Sequence, residues 1–239
     1  MSALALIDEI VVAREILEHE PRRLAEFRAL QRWQAERLRA TYADFASQAR
    51  YATALDFFVD DLYGPHDFQQ RHGDLRKVLR QWQRLLPERA MQAVMYALQL
   101  EALTQSLDLD VLAALDGVRP TPASYAAAYR RTDRRVDRQR QIWLILTAGR
   151  SLDTLITTRA IGMALRAAKL PARILGVSAL QEFLERGYRA FKSMGGAARL
   201  LWTIEQRETA IMQRLFAGST DPFRIDESSS AAHRSSIKP

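Results

Sequence analysis

Between Pro21 and Gly64 the chain contains neither glycine nor proline. Nothing in that stretch favours a tight turn, because no residue supplies a cheap positive φ or a missing amide donor. Its large apolar side chains recur at helical intervals: Leu24, Phe27, Leu38, Tyr42 and Phe45, then Tyr51, Leu55, Phe58 and Leu62. Periodic runs beyond about 25 residues seldom stay unbroken, so one very long helix or two with a break in the forties is predicted.

The rest of the chain keeps the same period. Ile7, Ile10, Val11 and Leu17 mark a first helix that closes near His19 to Pro21. Pro87 suits the first turn of a helix, where its absent N–H costs nothing. The segment behind it carries two apolar faces, Met91–Val94–Met95–Leu98 and Tyr96–Leu100–Leu103–Leu107, and is predicted to be central. Ser151 is expected to cap a helix ending before Pro171. Ser178 with Gln181 forms a capping-box pattern ahead of Phe183, Gly187 and Phe191, and Gly195–Gly196 break that helix. Strand-like alternation is absent, and Ala, Leu, Arg and Gln, all strong helix formers, dominate the composition. The expected fold is therefore an all-α bundle of about eight to ten helices. It forms a single domain over residues 1–217, with GVRPTP as a candidate lobe boundary at 117–122. The Ser-rich residues 218–239 read as a disordered polar tail.

Composition excludes several chemistries. There is no cysteine, which removes disulfides, iron–sulfur clusters, zinc ribbons and thiol nucleophiles. No Gly-x-Ser-x-Gly elbow or phosphate-cradling glycine loop occurs, and no cofactor is implied. The N-terminus lacks a basic n-region, and the cleanest apolar run, Ile142 to Gly149, is far too short to span a bilayer. A cytoplasmic protein without a membrane span is the expectation.

The block FFVDDLYGPHDF, residues 57–68, concentrates acid and aromatic residues in a basic chain. Asp56 and Asp60 share one helical face and could hold a metal, but the Glu-x-x-His pairs of di-iron bundles are missing. His66–Asp67 is similar to the doublet of the all-α His-Asp phosphohydrolases. That family would place it within a helix, whereas here it follows Gly64–Pro65. Helix stop, turn and helix start explain most of the block. No metal site is assigned. Left over are Asp56, Asp60 and Asp61 on one face and Phe57, which lies off the apolar face and is expected to be exposed. Together with DLRKVLRQWQRLLP downstream, the block resembles an uncharacterised bacterial family named for a Phe-Phe-Leu-Glu-Glu-Leu-Tyr signature. Val59, Asp60 and Asp61 stand where that name has Leu, Glu and Glu. The resemblance implies a helical bacterial protein and no activity.

The formal net charge is +7, from 35 basic against 28 acidic residues, with Lys77, Lys169, Lys192 and Lys238 the only lysines. The densest basic run is YRRTDRRVDRQRQ, residues 129–141. Read as one helix, it sets Arg131, Arg134, Arg135 and Arg138 opposite a seam of Tyr129, Val136 and Trp143. That face would be solvated and partly neutralised by Asp133 and Asp137, or would dock an acidic partner. Phosphate contact with nucleic acid is the alternative, unsupported by any recognition signature. Further along, Arg159, Arg166 and Glu208 fall on otherwise apolar stripes. Buried charges need partners, so these are structural ion pairs or the lining of an inter-helix pocket for an anionic ligand. The functional expectation is a non-enzymatic protein acting through a protein partner or as a homo-oligomer. A small-molecule binder and a non-specific nucleic-acid binder are the alternatives.

Overall fold

A computed structural model describes residues 2–62, 87–158, 162–163 and 178–225. Among them are nine α-helices and one π-helical turn, and no strand. The fold is an all-α multi-helix bundle. Helix α1 is Ala3–Glu18, α2 is Pro21–Thr41, α3 is Ala43–Ala46 and α4 is Ala49–Asp56, which runs into the π turn Phe57–Leu62. After the next described residue, Pro87, come α5 (Glu88–Leu115), α6 (Pro122–Thr132), α7 (Arg135–Ile156), α8 (Ser178–Met194) and α9 (Ala198–Ala217).

The long glycine-free run breaks in the forties. Tyr42 ends α2 with φ −115° and ψ 23°, outside the helical region. Ser47 and Gln48 then donate side-chain hydrogen bonds to the Asp44 carbonyl at 3.0 and 2.7 Å, competing with the helical ladder. Arg207 of α9 secures this corner. It donates two parallel bonds to the Asp44 carboxylate at 2.7 and 2.8 Å and another to the Thr41 carbonyl. The break is thus a local preference fixed by a distant helix.

Helix α5 is the central element, as its two apolar faces predict. Its 28 residues run about 42 Å and pack against α1, α2, α6 and α7. One core group joins Phe27, Leu30, Val111, Leu115, Tyr125 and Ile211. It draws residues from both sides of the 117–122 link, so packing is continuous across the expected lobe boundary. A second group unites Phe45, Tyr51, Leu55 and Leu146 with Phe191, Met194 and Leu200. A third holds α1 on the first half of α5 through Leu6, Ile7, Ile10, Leu98 and Ala102.

Three local expectations are corrected. Helix α7 runs straight through Gly149 and Ser151, and Ser151 bonds the Thr147 carbonyl at 2.8 Å instead of capping a new helix. Residues 218–225 do not behave as a polar tail. Phe223 lies edge-on to Trp33 with ring centroids 5.7 Å apart, and Ile225 packs on the same core. The basic run 129–141 is not one helix. Asp133 takes a left-handed conformation at φ 48° and separates α6 from α7.

Candidate functional site

Polar residues replace apolar ones at helical spacing along several inner faces. On α2, Gln34, Arg37 and Thr41 continue the line of Phe27 and Leu30. On α5, Gln105 and Asp108 sit between Ala102 and Val111. Arg138 and Gln141 do the same on α7, and Arg207 and Glu208 on α9. The result is a polar seam through the bundle.

At one end, Arg37 donates to both Glu208 oxygens at 2.7 and 3.0 Å, and the Tyr42 hydroxyl donates to Glu208 at 3.0 Å. Both side chains of the ion pair are only 15% exposed. Burial works against the Arg37 charge, but Glu208 together with Tyr125 and Tyr42 outweighs it and raises the pKa. Tyr42 is pushed well above the ordinary phenol value by burial and then by Glu208. At the other end, Arg138 is buried, donates through Nη1 to Gln141 at 3.0 Å and lies 4.5 Å from the Tyr129 ring centroid. Gln141 in turn donates to Thr104 at 2.8 Å. Burial raises Asp108 to about 6, against the opposing pull of Arg138 and Gln34. The Tyr125 hydroxyl reaches Gln34 at 3.4 Å and links the two ends.

Of the expected pocket residues, Glu208 is therefore committed to Arg37 and Tyr42, as in the ion-pair reading. Arg159 and Arg166 lie outside the described residues. An open groove of about 330 Å³ borders this ion pair, lined by Trp33, Arg37, Pro122 and Phe223. Among the described residues no group of three His, Asp or Glu side chains converges as metal ligands would.

The expected interaction surface fares unevenly. Phe57 is buried, not exposed. It packs on Phe183 with centroids 5.3 Å apart and fills a slot over Gly187, where an added Cβ would lie 2.9 Å from its ring. Phe57 itself keeps an α-helical backbone, its N–H bonded to the Thr53 carbonyl, and the packing of α8 along α4 is what covers its side chain. Asp56 is exposed as expected, and the side chains of Asp60 and Asp61 lie outside the described residues. The basic stripe is also redistributed. Arg131, on α6, donates to the Ala114 carbonyl at 2.6 Å. Arg134 pairs with Asp110 and with Asp137, Arg135 stacks over Phe216, and Arg138 is buried. The helix break inverts the predicted seam: Val136 and Trp143 face solvent, at 75% and 51% exposure.

Sequence reasoning missed Gln34, Arg37, Asp108 and Arg207. The signal was available, because each occupies a position where the helical period calls for an apolar side chain. It also missed the outward face of α7, where Trp143 meets Tyr96 of α5 edge-on at 5.9 Å and Arg140 and Arg150 are exposed.

Among the described residues no helix is long and apolar enough to cross a membrane. No curated protein and no solved structure matches the chain. A family model does match, over residues 13–222, so it takes in both the polar seam and the packed segment that reaches Phe223's neighbour Pro222. The chain thus belongs to the family described as a domain of unknown function, DUF8198.

Proposed function

We propose that this protein works through association with another polypeptide and not through chemistry of its own. One observation carries the reading: Val136 and Trp143, seven residues apart on α7, turn a large apolar surface to water. Packing does not require it, because the same helix already buries Leu144, Leu146 and Ala148 on its inner side. Single exposed apolar residues are ordinary, but here Trp143 meets the half-buried Tyr96 edge-on, with Val136 two turns earlier on the same helix and the exposed Arg140 between them. Aromatic residues with arginine are what the centres of protein interfaces favour.

Of the two alternatives, one loses ground. Nucleic-acid binding needs free arginines at 131–138, and these are engaged with a carbonyl, carboxylates and aromatic rings of the chain. The anion pocket rests on Arg159 or Arg166, which lie outside the described residues, while Glu208 is paired with Arg37. The test is a Val136→p-benzoylphenylalanine variant irradiated in native cell extract. A defined adduct that vanishes when Trp143→Ala is added supports the reading. Absence of any Trp143-dependent adduct removes it.

A further inference from the structure

The surface of α1 narrows the choice of partner. Val12 and Ile16 are exposed at 53% and 56%, one turn apart on the side of α1 away from α5. Glu9 and Glu15 flank them, also facing solvent or nearly so. The helix carries Asp8, Glu9, Glu15 and Glu18 against the single cation Arg14. Its outward face is therefore apolar with an acidic border. The outward face of α7 is apolar with a basic border in which Arg140 is exposed, while Arg135 stacks over Phe216 and Arg150 lies 3.6 Å from Glu205.

Both helices rest on one stretch of α5. α1 is held through Leu98 and Ala102, and α7 through the Trp143–Tyr96 contact and the Gln141–Thr104 hydrogen bond. Within one chain both faces remain in solvent, so neither satisfies the other there.

We infer that the partner is a second copy of this chain, with α1 of each copy laid on α7 of the other about a twofold axis. A twofold makes the two contacts identical and doubles a patch that, taken once, is small for a stable complex. Complementary borders set the orientation, since like-charged alignments of the same helices are repelled. The inference rests on the association reading, with the second copy in the place of the unspecified partner.

The test is sedimentation velocity on the full chain over a wide concentration range, combined with the position-136 crosslinks. Wild type is expected to pass from monomer to dimer, and Trp143→Ala to raise the dimer Kd at least about tenfold. Arg140→Glu alone and Glu9→Lys with Glu15→Lys alone should each weaken the dimer, and the combination should recover most of the loss. These residues are exposed, so unchanged circular dichroism melting confirms that the variants fold. A strict monomer whose position 136 still crosslinks to a different polypeptide overturns the inference and leaves the association reading standing. So does a dimer indifferent to Trp143→Ala and to the charge exchange. A strict monomer with no crosslink sinks both.

Discussion

A buried acid that sits near neutrality couples folding to pH in an unusual direction. Asp108 has a folded value of about 6 against an ordinary 3.8, because burial disfavours its charge more than Arg138 restores it. Between about pH 4 and 6 the folded chain binds this proton more tightly than the unfolded one, so this group's contribution falls as pH rises through that window. Asp44 runs the other way: Arg207 holds it below its ordinary value, and its contribution is lost as pH falls. The Asp108→Asn variant, compared with wild type by denaturant melts at each pH, should remove the first effect alone. It is expected to be more stable above pH 7 by up to about 3 kcal/mol, with the difference vanishing near pH 4. Lower stability than wild type at pH 7.5 would contradict this account. The Arg37–Glu208 pair makes the opposite kind of statement. Glu208→Ala strands a guanidinium and the Tyr42 hydroxyl in the interior and should cost about 3 kcal/mol. Arg37→Met with Glu208→Leu should recover part of that, because removing both charges leaves only the Tyr42 hydroxyl unpaired.

At the scale of the element, glycines inside helices report on close approaches. Gly187 lies mid-helix in α8, where alanine would ordinarily stabilise by up to about 1 kcal/mol. Here the Cβ would meet the Phe57 ring at 2.9 Å, so Gly187→Ala is expected to lower stability by about 1–3 kcal/mol, measured by urea unfolding. A gain would show that the ring is not seated there. Most helices could be read from the sequence because each has one apolar stripe, a spacing that survives whatever the neighbours do. Phe57 could not, because what covers it is Phe183 and Gly187 of α8, a neighbour that no local spacing announces. The Arg131–Arg138 face failed for a different reason. A left-handed Asp133 in the middle of the run stops one helix and restarts another, and a periodicity carried across that joint points to the wrong side. The polar seam was half visible: Glu208 stood out on its stripe, but its partner Arg37 lies 171 positions earlier on another helix. Pairings of that kind are set by topology and not by local pattern.

At the scale of the whole molecule, three apolar groups and a polar seam meet along one helix. Ladder hydrogen bonds in the second half of α5 are shielded by α2, α6 and α7, and Val111 and Leu107 are almost wholly buried. Helix α1 is held in the third group mainly by α5, with only lesser contact to α2. Amide exchange in heavy water should therefore separate the two. Residues 105–115 should exchange only through global unfolding, and α1 through a smaller opening of lower free energy. Equal protection in both would mean that α1 has support beyond α5. If α1 lies on a second copy, its protection should rise with protein concentration while that of residues 105–115 stays fixed. Held mainly by one neighbour, α1 can then act as a gauge of protein concentration, with its protection reporting how much of the chain is assembled.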